Sequence, residues 1–116
     1  GVSLGQGCAL SSFSHISTGA GDVVIGNHVR IAPNCTLVGG TKEIRSREVL
    51  IVNQPEASPK GIIIEDDVLI GANSVILPGS HLHKGSVVGA GSVVQGAVDE
   101  YAIVAGTPAR VIGSRE

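Results

Sequence analysis

The sequence predicts an all-β chain wound as a parallel β-helix, and three observations carry that prediction. Aliphatic residues recur at every sixth position, at Ile64, Ile70, Ile76, Leu82, Val88 and Val94. That spacing matches neither a 3.6-residue helical stripe nor the alternation of a hairpin, but it suits a short strand plus a tight corner, repeated. Three places after each aliphatic residue comes one that tolerates positive φ: Asp67, Asn73, Gly79, Gly85 and Gly91. A chain that turns after every strand needs such residues. Four places after each aliphatic residue the slot is small or slim, as at Val68, Ser74, Ser80, Ser86, Ser92 and Val98.

Three six-residue sides close one triangular turn, and about four coils follow in order. Leu4, Leu10 and Ile16 form the first, with corners that include Gly7 and Gly19. The longer step from Ile16 to Ile25 makes Gly19-Ala20-Gly21 a small bulge. Ile25, Ile31 and Leu37 form the second coil, with Asn34 and Gly40 at corners and His28 in a corner slot that His also tolerates. A long loop, residues 39–63, is inserted next and leaves the same corner as the bulge, one coil on. It carries Lys42, Glu43, Arg45, Arg47, Glu48, Pro55 and Pro59. Within it Val49-Leu50-Ile51-Val52 is expected to form a short strand, making a hairpin-like arm that packs on a neighbouring subunit. A loop of this length on a rigid scaffold usually serves function. Ile64, Ile70 and Ile76 form the third coil, and Leu82, Val88 and Val94 the fourth. After Val98 the period is expected to stop, and the tail 99–116 to cover the unpaired edge of the last coil.

Residues 1–116 make one domain. Phe13 and Tyr101 are its sole aromatic residues, so the core is narrow and built in aliphatic layers. A net charge of −2 supplies no basic field for nucleic acid and no polybasic membrane patch. No apolar run approaches a membrane span. Cys8 and Cys35 fall on different faces by the six-residue count, so free, buried thiols are expected, which fits a reducing cytoplasm. With no Met at position 1 and the first repeat already under way, an N-terminal piece is expected to precede Gly1.

The repeat, the segment Ile70-Gly71-Ala72-Asn73-Ser74-Val75-Ile76-Leu77-Pro78-Gly79, the Gly89-Ala90-Gly91-Ser92 coil and the tail Ala105-Gly106-Thr107-Pro108-Ala109-Arg110 resemble hexapeptide-repeat acyltransferases. The galactoside, maltose and bacterial-polysaccharide sugar acetyltransferases are the nearest in look. The resemblance implies a left-handed helix, an exception to the right-handed crossover rule. It also implies a homotrimer with active sites between subunits, and acetyl-CoA as acyl donor, with no metal expected. Its pantetheine arm is expected along Ala72, Ala90, Gly91 and Ser92. Pro108 and Arg110 carry over from the tail motif, the guanidinium suiting the nucleotide phosphates. Small residues also let such an arm approach the backbone closely. Relatives often carry Thr-Lys-Asp where this chain has Gln95-Gly96-Ala97, and Arg115 is a candidate to replace that cation.

Acyl transfer to a hydroxyl needs a general base and an oxyanion donor. In the galactoside-type relatives the base is a His just inside the long loop, and here that loop has none. His15, on the outside of the strand at Ile16, is one candidate catalytic residue. Glu43 is another, and Glu48 an alternative carboxylate, since desolvation raises a carboxylate's basicity. A neutral amine asks less of a base, and relatives that N-acetylate nucleotide-linked amino sugars carry a His-Ile step that His15-Ile16 resembles. The expected function is acetyl transfer to a sugar or amino sugar in bacterial surface-polysaccharide assembly. The competing expectation is a non-catalytic or metal-dependent trimer similar to the γ-type carbonic anhydrases. His81 and His83 flank Leu82 and both point outward, but the sequence shows no third ligand.

Overall fold

The computed structural model describes residues 1–116 and winds them into a left-handed parallel β-helix. The first coil comprises β1 (Val2–Leu4), β2 (Ala9–Leu10) and β3 (His15–Ser17), and the second β4 (Val23–Ile25), β5 (Arg30–Ile31) and β6 (Thr36–Val38). The third comprises β7 (Ile62–Ile64), β8 (Leu69–Ile70) and β9 (Val75–Ile76), and the fourth β10 (His81–Leu82), β11 (Val87–Val88) and β12 (Val93–Val94). Then come β13 (Ala97–Val98), β14 (Ala102–Gly106) and β15 (Ala109–Ser114). The strands stack as three sheets, with β1-β4-β7-β10-β13 the first face, β2-β5-β8-β11-β14-β15 the second, and β3-β6-β9-β12 the third. No helix is long and apolar enough to cross a membrane.

The six-residue period sets the register. On the first face Leu4, Ile25, Ile64, Leu82 and Val98 stand directly above one another. Leu10, Ile31, Ile70, Val88 and Val104 do so on the second, and Ile16, Leu37, Ile76 and Val94 on the third. From the second coil upward these side chains are buried, each contributing about 1.5–3 kcal/mol. At Ser14, Cys35, Ser74 and Ser92 the slim slot is a hydrogen-bonding layer. Cys35 Sγ donates to Gly71 O at 3.1 Å and Ser92 Oγ to Gly89 O at 2.6 Å, which satisfies groups that burial would otherwise leave costly. Both cysteines are free, but only Cys35 is buried, Cys8 being half-buried on the first, open coil.

Three expectations need correction. The period does not stop at Val98. The step from Val94 to Val98 is shortened by a tight corner at Gly96, where φ is 95°. Six residues later Val104 stacks on Val88. The tail therefore starts as two sides of a fifth coil and caps the second face only through β15, which pairs antiparallel with β14. The loop residues Val49 to Val52 form no strand. Ile51–Asn53 is a single 3-10 turn, and the arm is hairpin-like only at its foot, where Lys42 bridges Glu56. Finally, Gly40 does not hold a positive-φ corner. The arm occupies that place, and Gly61 (φ 83°) closes the corner as the chain re-enters the coil.

Candidate active site

The corner between the second and third faces carries the residues predicted to hold the donor. Its apex residues are Phe13, Asn34, Asn73 and Gly91, all at φ between 61° and 70°. The ladder is closed by amides donating downward, Asn34 N to Ser12 O, Asn73 N to Pro33 O and Gly91 N to Ala72 O at 2.8 Å. Ser12, Pro33, Ala72 and Ala90 are thus equivalent positions, one per coil. The N–H groups of Ala72 and Ala90 have no acceptor in the chain, and one coil below, Pro33 has no N–H at all. A side chain at Gly91 would meet nothing within 4 Å, so the surface there is open. Above it, Gly106 N donates to Ser92 Oγ at 3.1 Å, placing the β14–β15 turn over the same corner. Pro108 and Arg110 are exposed on that turn, and the Arg110 guanidinium contacts only the Ala109 carbonyl. Arg115 lies elsewhere, bonded to Asp67 and to Gly85 O beside the Tyr101 ring.

His15 is exposed and begins β3, with its backbone N–H on Cys35 O. It stands at the foot of the Ser12–Ala90 column, three rungs or about 14 Å below Ala90. It opens the third face, opposite Thr36 on the next coil. The arm leaves from the far end of that face, beyond Val38. Next to His15, Phe13 holds an αL backbone with its ring 87% exposed. Bulky residues rarely keep that conformation without a reason, and sequence reasoning passed over it.

Glu43 lies half-buried in the ascending leg of the arm, its N–H on Pro55 O. Glu48 is exposed near the tip. Gln54 is the buried residue that shapes the arm, donating from Nε2 to Ser46 O and Val49 O. The descending leg lays Pro59 on Gly79, where a Cβ would come within 2.4 Å of Pro59 Cγ. Below this contact an open groove of about 520 Å³ runs along the first face, with Val24, Ile63 and His81 among its walls.

At the rim of that groove a carboxylate joins the two histidines. Glu65 Oε2 lies 2.5 Å from His81 Nε2 and 3.0 Å from His83 Nδ1, and its Oε1 accepts from Lys84 N. The hydrogen bond from His81, with that from Lys84, holds the Glu65 carboxyl below its ordinary range, against the opposing effect of partial burial. Counting back one coil, eighteen residues, from His83 reaches Glu65, so the signal was present in the repeat.

Residues 61–95 match the family model described as the hexapeptide repeat of succinyl-transferase. A 2,3,4,5-tetrahydropyridine-2,6-dicarboxylate N-acetyltransferase from Staphylococcus aureus (strain JH9) is 56% identical over 62 residues, 53% of this chain. The chain spans only a quarter of that relative's length, 25%. Among solved structures, a mutant of AntD, an N-acyltransferase from Bacillus cereus, in complex with dTDP-4-amino-4,6-dideoxyglucose and coenzyme A, superposes with TM-score 0.87 at 21% identity. It covers 99% of this chain and 64% of its own. The polySia-specific acetyltransferase NeuO gives TM-score 0.76 at 26% identity, over 97% of this chain and 48% of its own. The resemblance to hexapeptide-repeat acyltransferases therefore holds for the repeat and for the fold.

Proposed function

We propose that this chain is the donor-binding β-helix of an acetyltransferase that moves acetyl from acetyl-CoA to a sugar or amino sugar. The observation that carries the reading is the pair of unpartnered N–H groups at Ala72 and Ala90, stacked on one open corner beneath the Pro108–Arg110 turn. Two donors one rung apart, about 4.8 Å, suit successive amide carbonyls of a pantetheine arm. The arm would run down the corner, with its nucleotide phosphates near Arg110 and its thioester directed toward the coil of His15. That one relative is an N-acetyltransferase, and that one neighbour, an N-acyltransferase, holds a nucleotide-linked amino sugar with coenzyme A, supports the amino-sugar branch.

In the transfer, the acceptor's oxygen or nitrogen attacks the thioester carbonyl carbon, and a backbone N–H stabilises the oxyanion. Collapse breaks the C–S bond, and the acceptor's proton ends on the departing thiol by way of the base. His15 is the favoured base, because it shares the donor's corner. Glu43 belongs to the second base position, contributed from the arm of an adjacent copy. Apolar side chains left outward on the first two faces, Val24, Ile63 and Leu69, favour the homotrimer. The setting proposed is surface-polysaccharide assembly in the cytoplasm, where acetyl-CoA is available and the free thiols stay reduced.

The test is a thermal-shift titration of the purified protein with acetyl-CoA and desulfo-CoA, followed by transfer assays with hydroxyl and amine acceptors. A ligand that binds only the folded state raises Tm with concentration. A saturable rise with both compounds supports the reading, and an unmoved transition overturns it. Loss of transfer in His15→Asn with CoA binding intact assigns the base.

A further inference from the structure

We infer that Glu65, His81 and His83 form a binding site for one first-row transition-metal ion of the zinc type, clipping the third coil to the fourth. One donor atom of each residue lies within 4.8 Å of the other two. The donors are two imidazole nitrogens and one carboxylate oxygen, a set that suits zinc, cobalt, nickel or ferrous iron rather than magnesium or calcium.

The local structure prepares the site. His81 and His83 flank inward-facing Leu82, so β10 sends both rings to the same side, where they stack 10° from parallel with centroids 3.9 Å apart. Glu65 follows β7 on the coil below, and the β7–β10 register brings its carboxylate under both rings. Lys84 N–H pins Oε1, which leaves Oε2 facing His81 Nε2 and His83 Nδ1. A ligating carboxylate is characteristically oriented by such an outer hydrogen bond. Ligands on a tetrahedral zinc stand about 3.3 Å apart, given metal–ligand bonds near 2.05 Å. The 2.5 and 3.0 Å separations at Oε2 open by less than about 1 Å as the ion enters, and the two ring nitrogens, within 4.8 Å of each other, settle to the same spacing.

All three side chains are about one-third exposed, so an ion reaches them without unfolding. Three protein ligands leave a fourth position free. The site stands where two recesses of the first face meet, one walled by His81 and the other by Glu65 and Lys84, with Val24 and Ile63 common to both. This inference does not depend on the transferase reading, because the donor corner is a different edge of the prism.

The experiment uses tag-free protein stripped with a chelator and titrated with zinc, then with cobalt(II), by calorimetry and visible absorption. The expected result is saturation at one ion per chain. Binding should fall at least tenfold in Glu65→Gln and disappear in the double variant His81→Ala/His83→Ala. Melting curves without metal confirm that these variants fold. Long-range ¹H–¹⁵N spectra should show zinc shifting His81 Nε2 and His83 Nδ1 while His15 and His28 stay unchanged. Absence of saturable uptake, or uptake unchanged in the folded variants, overturns the site.

Discussion

The N–H of Gly106 donates to Oγ of Ser92 at 3.1 Å, and that same hydroxyl donates to the Gly89 carbonyl at 2.6 Å. One buried serine thus fastens the turn of the C-terminal hairpin to the corner of the coil beneath it. Ser92→Ala leaves the Gly106 N–H without its partner, while Gly89 O keeps the Ser74 hydroxyl, at about 1–3 kcal/mol. The variant is expected to melt several degrees lower in a thermal unfolding scan and to bind acetyl-CoA more weakly, because the turn bearing Arg110 is released.

Pro33 occupies, one coil lower, the position of Ala72 and Ala90. Proline therefore fits this backbone, and at Ala72 or Ala90 it removes only an N–H that the chain does not use. Ala72→Pro and Ala90→Pro are expected to keep Tm within about 2 °C, each removing a ligand hydrogen bond of about 0.5–1.5 kcal/mol. That corresponds to a twofold to tenfold rise in the Kd for CoA by calorimetry. Unchanged affinity in both variants would separate the corner from the donor.

Pro59 of the arm rests on Gly79, whose φ is 86°. Gly79→Ala meets both a strained backbone and the proline ring, and is expected to cost about 1–3 kcal/mol. Limited proteolysis is the readout, with faster cleavage between Thr41 and Lys60 as the arm lifts from its coil. Gln54→Ala should open the same segment from the tip, since it removes the side chain's hydrogen bonds to Ser46 O and Val49 O.

Ser86 Oγ is buried and has no hydrogen-bond partner. Its slot holds Val29 and Val68 on the coils below. Ser86→Ala should be neutral or stabilise by about 1 kcal/mol, since an unsatisfied hydroxyl is removed from the interior. A melting scan checks it, and a clear loss of stability would mean the hydroxyl has a partner.

The coils and corners were legible because a six-residue repeat writes its geometry locally. Each aliphatic residue marks an inward position, and Asn34, Asp67, Asn73 and His28 each sit at the positive φ expected of a corner residue. The corner proposed for the donor was visible for the same reason, since Ala72, Ala90 and Gly91 follow the period. Where the period changes, local pattern failed. The shortened step at Gly96 hid the fifth coil from Val98 to Val104, and in the arm Leu50 to Val52 stay largely exposed, so their apolar run has no sheet to join.

The sequence by itself determined the inward and outward side of nearly every residue, and with it the triangular coil, because period and corner chemistry act within a few residues. Only the tertiary structure decided which outward residues meet where the repeat is broken. Pro59 of the arm covers Gly79, and Gly106 caps Ser92 through stacking of one coil on the next. Those pairings depend on where each insertion and shortened corner resets the register, and that is settled by packing and backbone hydrogen bonding along the whole helix.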